Sequence, residues 1–237
     1  MRATDFEFRH RFWFIFLLFW AAFSAYWIDR RGAGVSLVRL LSSGPVTERG
    51  VHAVFGLAAF LTGIAALVRT WAAAYLQSER VHDANLRTEG VVADGPYRHL
   101  RNPLYLGNLL LAVGMGLVAS RLGFLILVGG HLIFLYRLIG REESELLATQ
   151  GERYRAYFEA VPRLLPALRP RVPASGLQPR WPQAFLGEIF FWLLFAGNAW
   201  FAVTLASRTI PTVAIVGMVI YFVMLAVLKR RRAVPAG

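Results

Sequence analysis

The chain has 237 residues, 57% hydrophobic and 17% charged, and its formal net charge of +12 comes from 25 arginines and one lysine against 14 acids. An average soluble domain carries about 25% charged residues, and the apolar residues here are gathered into long blocks, so a disordered chain and a soluble globule are both excluded. There is no cysteine, which excludes disulfides, thiolate metal sites and cysteine nucleophiles.

In chain order, six apolar blocks approach the roughly 20 residues that a bilayer helix takes: 12–28, 51–68, 103–120, 122–138, 185–206 and 210–228. The expected fold class is therefore all-α, a polytopic helical membrane protein with cytoplasmic interfacial helices. The first span follows a basic stretch, and Asp29-Arg30-Arg31 beyond it favours a retained anchor over a cleaved signal. A longer, glycine-containing loop joins spans one and two. Arg121 alone separates spans three and four, which makes them a tight hairpin, and Ser207-Arg208-Thr209 closes a second one. Twenty of the 26 basic residues, Arg137 among them, fall on the side of both termini and six on the other. That asymmetry predicts cytoplasmic termini, with the polar segments 69–102 and 139–184 on the same side, in the plasma (inner) membrane. The arginines lie between apolar blocks, so their expected partners are anionic lipid head groups and not nucleic acid.

Six of the eleven prolines fall in 162–182. This density predicts an extended surface connector. The predicted organisation is an anchor span and loop (1–50), a core (51–166), a connector (167–183) and a C-terminal hairpin (184–237). Polar groups inside the spans are few. His131 is expected to bond a neighbouring helix, Glu188 to pair with Arg180 or touch substrate, and Asn198 stands alone. Gly107, Gly114, Gly116, Gly123, Gly129 and Gly130 are expected to tighten the hairpin of spans three and four. The tryptophans of the spans are expected to face lipid or pack.

The chemistry is expected in three stretches. In the first, Gly95-Pro96 is a turn signal, and Asn102-Pro103 is an N-cap followed by proline at the first helical position. The free amides of that helix start, ringed by Arg98, His99 and Arg101, predict an anion site below Leu104 and Tyr105. In the second, Glu142, Glu143 and Glu145 follow span four directly. Glu142 or Glu143 is expected to accept hydrogen bonds from ligand hydroxyls or to face a cationic group, unless the nearby arginines merely neutralise them. Because spans three and four form a hairpin, both stretches can face one ligand that carries a carboxylate and positive charge. In the third, Tyr154, Tyr157, Phe158 and Val161 form an amphipathic helix face that ends before Pro162. It is expected to lie along the interface over the site.

The ordered motifs Gly-Pro-Tyr-x-x-x-Arg-Asn-Pro-x-Tyr-x-Gly, Glu-Glu-x-x-Leu and Gly-x-x-Tyr-x-x-Tyr-x-x-x-Val-Pro-Arg resemble the isoprenylcysteine carboxyl methyltransferase family, and the related phospholipid methyltransferases are similar. Arg69-Thr70-Trp71-Ala72 also looks like that pattern, and the resemblance covers about residues 50–166. It implies S-adenosylmethionine as methyl donor, with contacts at Tyr97, at Asn102, Pro103, Leu104 and Tyr105, and at Glu142. It extends these to Glu89, Gly90, Val91 and Val92, and to His82. The family usually has histidine where this chain has Asn102, and asparagine carries neither charge nor a titrating proton. No glycine-rich loop follows a strand, so a Rossmann-type donor site is excluded.

The expected reaction is methyl transfer to a lipid-soluble acceptor, a prenylated cysteine carboxylate or a lipid head group, with Arg101 and Arg137 orienting an anionic head. The competing expectations are an NADPH-dependent membrane sterol-type reductase, which shares an Arg-x-Pro-x-Tyr helix start, and a non-enzymatic transporter or scaffold.

Overall fold

The computed structural model describes residues 2–42, 44–82 and 93–206. Every regular element among them is helical: α1 (Asp5–Arg9), α2 (Arg11–Ser24), α3 (Ala33–Leu41), α4 (Glu48–His82), α5 (Pro103–Val118), α6 (Arg121–Ala160), α7 (Trp181–Gly187) and α8 (Ile189–Thr204). Helices satisfy their own backbone, which lipid cannot do for them. The starts follow local chemistry. Thr4 and Glu7 close a reciprocal capping box on α1, and Ser120 Oγ accepts from Gly123 N at 3.0 Å on α6.

α4 is the central helix, packed on α5 along one side and α8 along the other, while α2 lies against α6. Ala58, Ala65 and Ala72, and beside them Ala59, Ala66 and Ala73, recur every seven residues and are all buried. In lipid, apolar surface gives helices no reason to associate, and close van der Waals packing decides. A seven-residue stripe of alanine lets two neighbours approach the α4 backbone along its length.

Among the described residues, two helices are long and apolar enough to cross a membrane, α4 as far as Leu76 and α6, or three if the bent pair α7–α8 counts as one span. The expected count of six spans is thus not confirmed. α2 and α5 are apolar but only 14 and 16 residues long. The block 210–228 and the turn at 207–209 lie outside the described residues. Block 185–206 is not one straight span, because α7 and α8 meet at 64°. Glu188 is the residue at that joint. The expected loop after span one contains α3, whose start is pinned to the α5–α6 turn by Ala33 N to Ala119 O (2.8 Å) and by Arg121 N to Arg31 O (3.0 Å).

The small residues of α5 and α6 serve a different contact from the one expected. Gly107 and Gly114 face α4 at Arg69 and Thr62, Gly123 and Gly130 face α2 at Ala22 and Leu18, and Gly116 faces α6. They seat the hairpin on its neighbours more than they close it on itself. No helix forms between Ala160 and Trp181, as the prolines require. α7 nevertheless begins at Trp181, with Pro182 in its first turn, where a missing N–H costs nothing.

Candidate functional site

α5 and α6 are antiparallel, so the Pro103 end of α5 lies beside residues 136–146 of α6. Two neighbouring acids meet this end differently, because consecutive helical residues point about 100° apart. Glu142 accepts one hydrogen bond, from Tyr105 Oη at 2.7 Å. Glu143 is a hub, 3% exposed. Its Oε1 accepts from Arg101 Nε at 2.9 Å and from Asn102 Nδ2 at 3.2 Å. Its Oε2 meets Arg163 Nη2 at 2.7 Å as an ion pair, outside hydrogen-bond alignment.

The third stretch is placed by a kink. Gly151 has φ of 58° and ψ of −135° inside α6, a left-handed conformation that glycine adopts at no steric cost. The chain beyond it turns onto the segment 95–101. Tyr154, Tyr157 and Val161 are buried there, packed with Ala93, Leu146 and Val172, so this face is turned to protein and not to lipid. Tyr157 Oη donates to the Tyr97 carbonyl at 2.9 Å, and Arg101 N to Pro162 O at 2.9 Å. Arg101 Nη1 donates to Phe158 O, and its guanidinium stacks 3.9 Å from the Phe158 ring centre. Opposite, Gly95 turns with φ of 55° against the Tyr75 ring, where a Cβ would collide.

The cationic ring expected around the helix start takes another form. Arg98 Nε donates to Val172 O at 2.9 Å, and His99 Nδ1 to Ala167 O at 2.8 Å. Asn102 occupies the N-cap position without a side-chain cap bond, and its Nδ2 donates instead to Glu143 and to Arg163 O at 3.0 Å. The physical reason is that the last turn of α6 and the irregular backbone over 161–172 carry carbonyls that need donors, and these side chains supply them. The proline-rich segment is thereby a strap across the site, also held by Ala167 N to His99 O (2.9 Å) and Arg171 N to Arg98 O (2.8 Å).

Asp94 anchors the far end of that strap. Its Oδ1 accepts from Ser175 N at 3.0 Å, and its Oδ2 accepts from Leu177 N at 3.1 Å and from the Ser175 hydroxyl. Burial pushes the Asp94 carboxyl up, but the Ser175 hydroxyl and the amides of Leu177, Ser175 and Gly176 outweigh it and hold the group below the usual carboxylate range. A carboxyl depressed on folding adds stability above its unfolded pKa of about 4, and that stability is lost as pH falls through the lower folded value. The protection of the Ser175 and Leu177 amides against hydrogen exchange, measured against the unfolded-chain rate at each pH, should therefore be high at neutral pH and fall in acid. Asp94→Asn should show fast exchange already at neutral pH.

The remaining candidates are dispersed. Pro103 is buried at the α5 start, and the Leu104 carbonyl accepts from Arg69 Nη1 at 3.2 Å. Arg137 donates from Nη2 to Glu7 at 2.7 Å, on the α1 side of α6. Glu89, Gly90, Val91 and Val92 lie outside the described residues, and His82 enters only as the last backbone position of α4. Glu188 pairs with Arg69, not Arg180, through Nε–Oε2 at 2.6 Å and Nη2–Oε1 at 3.0 Å. Arg69 also donates to Asn108 Oδ1 at 2.8 Å. This node joins α4, α5 and the α7–α8 joint behind the site. An arginine within an apolar helix was its sequence signal. His131 bonds its own helix, Nδ1 to Leu127 O at 2.8 Å, and not a neighbour. Asn198 Nδ2 reaches Thr62 Oγ1 and Met115 Sδ, each at 3.4 Å.

The stretch that carries α4, α5 and the acids of α6 has a known counterpart. Residues 51–151 match the phospholipid methyltransferase family. The match agrees with the resemblance carried by the motifs, and it points at a coarse level to an integral membrane methyltransferase. The cobalt-zinc-cadmium resistance protein CzcN of Cupriavidus metallidurans is 27% identical over 105 residues, 44% of this chain and 45% of that protein. The chain thus spans under half the length of this relative. No solved structure matches the chain.

Proposed function

We propose that this protein transfers a methyl group from S-adenosylmethionine to a lipid-soluble acceptor, a prenylated cysteine carboxylate or a lipid head group, at the cytoplasmic face of the inner membrane. One observation carries the reading. At the α5–α6 hairpin end, inside the family-matched segment, Glu143 is neutralised by Arg101 and Arg163 while Glu142 has no arginine ion pair among the described residues. One acid builds the site and the other is left for a ligand.

The side chains suit this donor. Glu142 has acceptor capacity beyond its single bond from Tyr105, which fits ribose hydroxyls or a cationic group. Tyr97, 8% exposed, and Tyr105 supply flanking aromatic surface. When bound, S-adenosylmethionine supplies a methyl already activated by its sulfonium. The chain's own residues then have to align the reactants and exclude water. The Gly151 turn, Tyr157 and the 162–177 strap cover the hairpin end and serve the second task. Tyr105 fixes the Glu142 carboxylate and serves the first. An acceptor carboxylate would need no general base.

The test is ligand-linked stabilisation of the full chain in detergent. S-adenosylhomocysteine should raise the melting temperature, by the equivalent of about 2.7 kcal/mol at a concentration 100 times its Kd, and NADPH should not. Stabilisation by NADPH alone would make the protein a reductase. Labelled methyl from S-adenosylmethionine should also appear in lipid extracted from membranes that contain the protein.

A further inference from the structure

The end of the α5–α6 hairpin has a further wall, and it comes from outside the family-matched residues 51–151. α1 lies on the 137–145 stretch of α6. Ala3 N donates to Arg137 O at 3.0 Å, Glu7 pairs with Arg137 at 2.7 Å, and Asp5 pairs with Arg141 at 2.6 Å. Phe8 packs on the buried cluster of Phe134, Leu135 and Leu138, and so does Tyr105, whose hydroxyl binds Glu142. The N-terminal segment therefore stands beside the Glu142–Tyr105 pair.

Arg11, the first residue of α2, is the cation this wall contributes. Its Nη1 donates to the Phe8 carbonyl at 3.2 Å, and its guanidinium lies 4.6 Å from the centre of the Phe8 ring. Arg141, the residue before Glu142, lies 4.9 Å from the centre of the same ring. One aromatic side chain thus separates Arg11 from the start of the acid stretch. Arg11 is near enough for its charge to act on both the Tyr105 hydroxyl and the Glu142 carboxylate, yet the two charged groups form no ion pair within 4 Å.

Their neighbours are all matched. Glu7 neutralises Arg137, Asp5 and Glu145 neutralise Arg141, and Glu143 serves Arg101 and Arg163. Among the described residues, Arg11 has no acidic partner and Glu142 no basic one. A guanidinium carries five N–H donors, and Arg11 uses one. A purely snorkelling arginine extends away from its helix, whereas Arg11 is half-buried and folded back onto Phe8. An unmatched cation and an unmatched anion, held apart at one end of the hairpin, are complementary to a zwitterion.

We infer that Arg11 is a further donor-binding residue, which takes the amino-acid carboxylate of S-adenosylmethionine while Glu142 meets the hydroxyls or cationic part of the same molecule. The N-terminal segment then completes a site that the family-matched segment leaves open. The anion site expected at the α5 start, where Arg98 and His99 serve strap carbonyls instead, moves to the α1–α2 joint. The inference deepens the methyl-transfer reading and rests on it for the identity of the ligand.

The experiment is calorimetric titration of the full chain in detergent with two ligands. One is S-adenosylhomocysteine, and the other its decarboxylated analogue, which keeps the nucleoside, the thioether and the ammonium. Wild type should bind the first more tightly by roughly tenfold or more, the size of a hydrogen bond to a charged group. Arg11→Gln should bring the ratio near one by weakening S-adenosylhomocysteine alone, with analogue affinity and melting temperature unchanged. Arg11→Lys should keep part of the preference, since it retains the charge but not the planar fork. Arg11→Met, which keeps an apolar stem against Phe8 and Phe12, gives the same readout should Arg11→Gln not fold. Equal loss for both ligands would make Arg11 a structural support of α1, and an intact preference without the guanidinium would make it a lipid-facing cation. Either result overturns the inference, as does a wild type that binds both ligands equally, and each leaves the donor reading standing. A wild type that binds neither ligand removes both.

Discussion

Glu143→Ala is expected to cost about 3–5 kcal/mol of stability, the usual penalty for breaking a buried pair from one side. The carboxylate gathers donors from two separate pieces of chain: Arg101 and Asn102 at the start of α5, and Arg163 in the strap. Removing it leaves the Arg101 guanidinium, 7% exposed, with a carbonyl and an aromatic ring but no counter-charge. The segments it joins are far apart in sequence, so the loss should be felt first at the strap. Limited proteolysis should cut 162–177 in the variant under conditions that leave wild type intact, and the melting temperature should drop by several degrees. Glu143→Gln should be milder, because its amide oxygen still accepts from Arg101 and Asn102. Pairing Arg101→Met with Glu143→Leu should recover stability relative to either single change, since an apolar pair of similar volume often replaces a buried ion pair without loss. A Glu143→Ala protein that melts and resists protease like wild type would mean that the hub does not hold these segments.

The hairpin of α5 and α6 and the meeting of its Asn-Pro start with the acids of α6 were legible in the sequence, because a single residue between two apolar blocks leaves only an antiparallel pair. What the acids would do there was less legible. Charge counting cannot tell which of two adjacent glutamates turns toward Arg101, and only helix rotation separates them. Arg163 stood in the Val-Pro-Arg end of the third motif, yet its partner lies 20 residues upstream, across the Gly151 kink. The strap was read as a surface connector because proline density reports what a segment cannot form, and it says nothing of the carbonyls the segment must satisfy. Arg98 and His99 looked like anion ligands for the same reason: sequence shows a donor and not its acceptor. Asn102 is instructive in another way. Its amide nitrogen donates to the Glu143 carboxylate and the Arg163 carbonyl together. A neutral imidazole has one N–H and could not do both, so the asparagine here performs a positioning task without a titrating proton. The span count goes unconfirmed where helices are short or bent, since apolar block length in sequence does not register a break such as the one at Glu188, where a carboxylate turns back to meet Arg69.

Glu142→Gln should have the opposite profile to the Glu143 change: an unaltered melting temperature and a loss of donor affinity on the order of 10–100-fold, the range for a hydrogen bond to a charged group. Glu142 is half-buried, forms no ion pair within 4 Å and takes its one hydrogen bond from Tyr105 among the described residues, so its removal breaks no ion pair. Titration of S-adenosylhomocysteine by calorimetry measures the loss, and labelled-methyl transfer should fall with it. Tyr105→Phe removes the bond that orients the carboxylate but leaves its charge, so its effect on affinity should be smaller, a few-fold. The order Glu142→Gln greater than Tyr105→Phe is what a carboxylate in contact with the donor requires, with the tyrosine acting through it. If Tyr105→Phe abolished binding while Glu142→Gln left it intact, the acid would not face the donor at all. If Glu142→Gln lowered the melting temperature as far as Glu143→Ala, Glu142 would be a second structural acid and the division of labour between the two glutamates would collapse.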